Sequence, residues 1–261
     1  MSRFSLNYLG IFFILISFLS FFNIIYSYYF NLYLNIDTYI FTLFISLIIG
    51  AILLFKKKID KKITIYEKIL IVVIGYILLP IIISIPYYLS IYNIPLLDCY
   101  FEAISGFTST GFTIIENIKD LDESLILWRS TSQWVGGIYF LFSIILLIDI
   151  FDNSLKKSLT NFISFNISEI FKQSFKILIL YIILTLVLFI VLNLIDIRSF
   201  DAFNLSMTII SSGGFLPVNN IEVIINSNFK EVVFSILMLA SFFSLFLSYN
   251  IIFLRKKNTY L

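Results

Sequence analysis

Histidine is absent from the 261 residues and cysteine occurs once, at Cys99. These absences exclude an internal disulfide and remove the residues from which a His/Cys metal cluster or a Cys–His nucleophile is built. Charge is scarce too: Asp, Glu, Lys and Arg make up 13% of the chain, against 60% hydrophobic residues and a mean hydropathy of +1.00. A soluble domain does not have that balance, so the sequence reads as an integral membrane protein; with no His, and no carboxylate pair or Ser–base arrangement that can be placed within the membrane, it is not read as an enzyme. Four prolines and nine glycines are few enough that each position carries information.

Six stretches have the length and apolarity of a membrane-spanning helix: 6–30, 38–55, 66–91, 126–150, 175–195 and 231–254. The first apolar run, 4–34, is too long for a signal peptide and reads as a membrane helix. With the N-terminus in the cytoplasm, 14 of the 18 basic residues fall inside: Arg3, five in "KKKIDKK" at 56–62, Lys68, Lys156, Lys157, Lys172, Lys176 and "RKK" at 255–257. That bias obeys the positive-inside rule and places both termini in the cytoplasm. Asp149 and Asp152 then mark the cytoplasmic end of the fourth span.

The two outer connections, 92–125 and 196–230, are too long for turns. Each opens with an apolar run too short to span, "PLLDCYFEAISGF" or "SFDAFNLSMTII", and then reaches a Ser/Thr/Gly cluster. Such runs suit re-entrant segments. Laying Gly111 over Gly214 also superposes Asp98 on Asp201, Ser105 on Thr208, Thr108 on Ser211, Ser109 on Ser212 and Phe112 on Phe215. The chain therefore reads as a parallel duplication of outer helix, re-entrant helix, loop and inner helix behind an N-terminal hairpin. The expected fold is an all-α membrane protein divided into a hairpin, 1–63, and two pore-loop repeats, 64–160 and 161–261.

Non-helical backbone at membrane depth is tolerated only where protein buries it or where it lines a watery cavity. Carbonyls and hydroxyls there replace the hydration shell of a monovalent cation without a formal charge, and glycine permits the positive φ that turns carbonyls inward. This chemistry selects Thr108, Ser109, Thr110 and Gly111 in one loop and Ser211, Ser212, Gly213 and Gly214 in the other. The backbone carbonyls of Thr110, Gly111, Gly213 and Gly214 are the expected ligands of a potassium or sodium ion. Asp98 and Asp201 stand where a carboxylate caps the N-terminus of each short helix, leaving the negative C-terminal end aimed at the cavity. Glu102 has two readings, a contributor to the cation field or a paired, interfacial carboxylate. "QWVGG" at 133–137 also has two, close helix packing or a gating hinge. Trp128 and Trp134 read as interfacial anchors, and Arg129 as a headgroup-level cation.

"DCYFEAISGFTSTGFT" with the downstream "LILWRSTSQWVGGI" closely resembles the first repeat of the Trk/Ktr/HKT-type potassium transporters, and "FDAFNLSMTIISSGGF" resembles their second. The resemblance covers about residues 64–255, and the leading hairpin is similar to the helix pair that bacterial Trk-type members carry ahead of their repeats. It implies potassium uptake across the bacterial cytoplasmic (inner) membrane, with one glycine per filter strand: Gly111 in the first, and Gly213 or Gly214 in the second. It further implies no cofactor beyond potassium as cargo, no nucleic-acid partner, and a cytosolic nucleotide-binding regulatory subunit facing the basic segments. Family members surround one pore with four such repeats, and two are found here. The expectation is a half-length subunit, completed as a homodimer or by a second chain carrying the other repeats; the alternative is a non-conducting fragment of a split transporter. Leu216 and Pro217 depart from the family pattern, in which a hydroxyl residue often follows the filter.

Overall fold

The computed structural model describes the backbone of residues 3–55, 65–147 and 167–254. The expectations placed on 56–62, Asp149, Asp152, Lys156, Lys157 and 255–257 lie outside the described residues. Within them all regular structure is helical: α1 Arg3–Tyr29, α2 Ile36–Phe55, α3 Ile65–Ile83, α4 Ile85–Tyr88, α5 Leu96–Phe107, α6 Glu123–Leu147, α7 Ile167–Leu194, α8 Ser199–Ile210 and α9 Asn228–Leu254.

Among the described residues, four of the six expected spans are long and apolar enough to cross a membrane: Asn7–Tyr29, Ile36–Phe55, Tyr66–Tyr88 and Phe175–Leu194. The other two expected spans, 126–150 and 231–254, fall on α6 and α9. α6 differs from the four because it carries the polar run Arg129–Gln133, every residue of it buried in protein. Pro80 near the end of α3 removes one backbone donor, and the helix stops at Ile83, to be resumed one residue later as α4.

α1 and α2 form a hairpin whose close approach is permitted at Gly10 and Gly50, where an added methyl would stand 3.1 and 2.8 Å from side-chain atoms of the facing helix. Ser20 Oγ donates across the pair to Tyr39 O at 2.7 Å. The hairpin packs on α6 through Phe12, whose ring centroid lies 4.8 Å from that of Tyr139 in an edge-on arrangement. Its polar end is tied to the start of α6. Asn35 donates to Asp122 Oδ1 at 2.8 Å, Asn23 to Ser124 O at 3.1 Å, and Tyr26 to Glu123 at 3.2 Å. Glu123 also holds Arg198, which precedes α8, so one carboxylate joins the hairpin and the second short helix at the head of α6. That contact raises the Arg198 guanidinium above its ordinary pKa.

The two short helices obey the same register. α5 and α8 are each 12 residues long, and both the first and last residues of the pair are 103 apart. Short 3-10 turns follow at Ile118–Asp120 and Ile221–Val223, again 103 apart. α6 packs against both short helices and is the wall they share.

Candidate functional site

Each short helix ends in the same hydrogen-bonded reversal. In α5 the N–H of Thr110 reaches back to Ser105 O at 3.0 Å and that of Ser109 to Gly106 O at 2.9 Å; in α8 Gly213 reaches Thr208 O at 2.8 Å and Ser212 reaches Ile209 O at 3.1 Å. This is the Schellman arrangement, which satisfies the carbonyls of the last turn and needs a left-handed residue just past the helix. Ser109 at φ 55° and Ser212 at φ 54° occupy that position. Each loop then curls back on its helix: Ser105 Oγ donates to Phe112 O at 2.5 Å, and Thr208 Oγ1 to Phe215 O at 2.9 Å.

The eight expected filter residues thus lie at and just beyond two matching helix ends. Thr108 and Ser211 close the helices, each donating its hydroxyl to the carbonyl four residues back, at 2.8 and 2.9 Å. Thr110 donates to Thr108 Oγ1 at 2.7 Å and is exposed. Gly111 adopts φ 78°. Gly213 and Gly214 do not share that left-handed backbone; in the second loop Ser212 provides the reversal, contrary to the expectation that glycine does so there. Gly111 and Gly214 face each other directly, and a methyl on Gly214 would stand 3.2 Å from Gly111 Cα.

The C-terminal ends of both short helices border one cavity of about 180 Å³, lined by Phe107, Thr108, Ser109, Ser211 and Ser212 together with Tyr76 and the α6 residues Gly136, Gly137 and Phe140. Two helix dipoles therefore present their negative ends to the same small space. An added methyl on Gly136 would overlap Phe107 O, and one on Gly137 would lie 2.9 Å from Ser211 Cβ. Of the two readings of "QWVGG", close packing is the one these contacts support.

The expected capping role of Asp98 and Asp201 is corrected. The residues at the N-cap positions are Pro95 and Arg198, with no side-chain cap. Each Asp instead occupies the third helical position, where a carboxylate favours the positive helix end without capping it. Burial lifts the Asp201 carboxyl above its ordinary pKa, with Arg198 opposing the shift.

Arg129 and the two tryptophans are also displaced from their expected positions. Arg129 is 1% exposed, and its Nε donates to Glu102 Oε1 at 2.8 Å. Glu102, also 1% exposed, accepts from Thr113 Oγ1 at 3.0 Å and from Ile114 N–H at 3.3 Å. The paired reading of Glu102 is thus the one with geometry behind it, since burying both charges requires a mutual partner. Arg129 further donates to Leu216 O at 3.4 Å and lies 4.2 Å from the centroid of Phe215. Trp128 and Trp134 are buried, donating to Ile83 O and Thr185 Oγ1, each at 3.0 Å. Their indole N–H groups find protein partners and not an interface.

Gln133, one helical turn beyond Arg129, had no assigned role in the sequence. Its amide reaches the second loop, accepting from Gly214 N–H and Phe215 N–H at 3.0 Å each and donating to Thr208 Oγ1 at 3.0 Å. That amide orientation is required because the single Thr208 proton is committed to Phe215 O. The available signal was spacing: Arg129 and Gln133 are polar residues four apart in an apolar helix, and so share a face.

Residues 35–261 match the family model described as TrkH, cation transport protein. An uncharacterized cation transporter of Methanocaldococcus jannaschii is 32% identical over 170 residues, covering 62% of this chain and 34% of that protein. The Trk system potassium uptake protein TrkI of Halomonas elongata is 44% identical over 55 residues, covering 21% and 11%. TrkH of Salmonella typhimurium is 32% identical over 94 residues, covering 35% and 20%. In fold, the chain is similar to the crystal structure of the potassium transporter TrkH from Vibrio parahaemolyticus, with a TM-score of 0.70 at 20% identity over 83% of this chain and 44% of that one. The chain thus spans less than half the length of these relatives. With the family model covering most of it, the chain belongs to the TrkH family of cation transport proteins.

Proposed function

We propose that this chain contributes two filter strands to a potassium-conducting pore in the cytoplasmic membrane of a bacterium, with both termini in the cytoplasm. In this reading Thr108 to Gly111 and Ser211 to Gly214 line the filter, and the backbone carbonyls of Thr110, Gly111, Gly213 and Gly214 take the place of the ion's water shell. One observation carries it: the loops after two matching helix-ending turns approach each other at Gly111 and Gly214, and the C-terminal ends of both helices border one cavity. The division into a hairpin, 1–63, and repeats, 64–160 and 161–261, belongs to the same proposal.

Movement is passive, driven by an inside-negative potential worth about 2.3 kcal/mol per charge per 100 mV. The exposed loop edges at Thr110, Phe112 and Gly214 favour completion of the ring by further pore loops, from a second copy or from another chain. A non-conducting fragment that needs such a chain is the second reading. A cytosolic nucleotide-binding subunit is the partner proposed for the basic segments.

The test is growth of a potassium-uptake-deficient bacterium on limiting potassium, with the chain expressed alone and with a second chain bearing two further pore loops. Rescue by the chain alone supports a homodimer, and rescue only with the second chain supports the fragment reading. In whichever form rescues, Gly111→Ser is expected to weaken discrimination against sodium. An unchanged preference would remove Gly111 from the filter.

A further inference from the structure

We infer that Gln133 is the positioning residue that sets cation discrimination at the second loop, an inference resting on the transport reading above. A trans peptide is planar, so each C=O points opposite to the N–H of the next residue. The Gly213 carbonyl is therefore opposed to Gly214 N–H, and the Gly214 carbonyl to Phe215 N–H. Both N–H groups donate to one atom, Gln133 Oε1, at 3.0 Å each. A single acceptor thus turns the two carbonyls away from α6, and these are the two proposed as ion ligands in this loop.

The acceptor is itself fixed. Gln133 is fully buried, its Nε2 donates to Thr208 Oγ1 at 3.0 Å, and the Thr208 hydroxyl donates onward to Phe215 O at 2.9 Å. Gly213 packs so closely that a methyl there would overlap the amide. The first loop is oriented differently: Gly111 N–H is directed to Ser105 O, 3.4 Å away in its own short helix. Discrimination in a carbonyl filter depends on the number and field of the dipoles facing the ion. Without the Gln133 acceptor, the Gly213 and Gly214 peptides can rotate toward a smaller cation.

The test compares the unaltered chain, Gln133→Leu and Gln133→Glu in lipid nanodiscs, each in whichever form rescues growth, alone or with the second chain. Two quantities are read: amide hydrogen exchange over 213–216, and the potassium and sodium concentrations giving half-maximal thermal stabilisation. In Gln133→Leu, exchange over 213–216 rises while 108–113 is unchanged, and the potassium-over-sodium preference falls about ten-fold. Gln133→Glu, which keeps the acceptor, restores most of the preference. An undiminished preference in Gln133→Leu overturns the inference alone. No potassium preference in the unaltered chain overturns the transport reading and the inference with it. If Gln133→Leu does not fold, Thr208→Val, which frees the amide, is judged by the same ratio with a smaller expected fall of about three-fold, and an unchanged ratio overturns the inference.

Discussion

The two loops share one helix-ending turn and are held by opposite means. The first is braced by charge: Glu102 of its own short helix, ion-paired with Arg129, takes up Thr113 and Ile114 beyond Gly111. In the second, the positions 103 residues on from Glu102 and Thr113 are Leu205 and Leu216, and the bracing comes from a neutral amide, Gln133, on α6. Backbone geometry in such a duplication is thus set by the short helix and its Schellman turn, while the support behind the loop is free to diverge. It also shows why the loops are not independent. α6 carries both supports, and Arg129 touches the second loop through Phe215 and Leu216.

Breaking the charged support has the largest expected effect. Arg129→Leu leaves Glu102 buried without its partner and is expected to destabilise the protein by about 3–5 kcal/mol. The double replacement Arg129→Leu with Glu102→Leu recovers much of that loss. Denaturant unfolding in detergent checks both, and a double variant no better than the single one would show that the pair's hydrogen bonds, not its charges, do the bracing. Next comes Gly111→Ala, which forces a side chain into φ 78° and against the Gly214 backbone, at an expected cost of about 2–3 kcal/mol. Gly214→Ala, in ordinary backbone with a 3.2 Å contact, is expected to cost less, and the same unfolding measurement ranks the two.

Smaller changes sharpen the likeness of the loops. Ser109→Gly and Ser212→Gly each relieve a left-handed residue and should stabilise by about 1 kcal/mol and by nearly equal amounts, seen as paired rises in melting temperature. A gain in one loop and a loss in the other would show that the Schellman turns are not equivalent. Smallest are Asp98→Asn and Asp201→Asn, each expected to shift stability by at most about 0.5 kcal/mol because neither residue caps its helix. A loss near the 1–2 kcal/mol of a true cap would restore that role.

What was legible in the sequence is what local chemistry dictates. Apolar length marked the helices, and the 103-residue spacing of Asp, Ser/Thr and Gly marked two short helices whose ends superpose. What was not legible depends on which helix lies behind which loop. Arg129 lies near the start of α6, where snorkelling to headgroups is the usual fate of a cation; only the packing of α5 across α6 supplies Glu102 instead. Trp128 and Trp134 were misplaced for the same reason. Asx is favoured at a helix cap, which points to Asp98 and Asp201, but the chain turns into each helix three residues earlier, at Pro95 and Arg198. Gly213 and Gly214 suggest positive φ by residue type, yet the left-handed position goes to Ser212, since register and not permissiveness decides which residue follows the helix.

In the proposed function the two loops together present carbonyls to a potassium ion. The most direct test is an anomalous difference map from crystals grown in thallium, a potassium-sized cation with strong scattering, with sodium-grown crystals as control. The account predicts a peak within coordinating distance of the carbonyls of Thr110, Gly111, Gly213 and Gly214 that is lost in sodium. Strong thallium peaks elsewhere, with none between these loops, would contradict it.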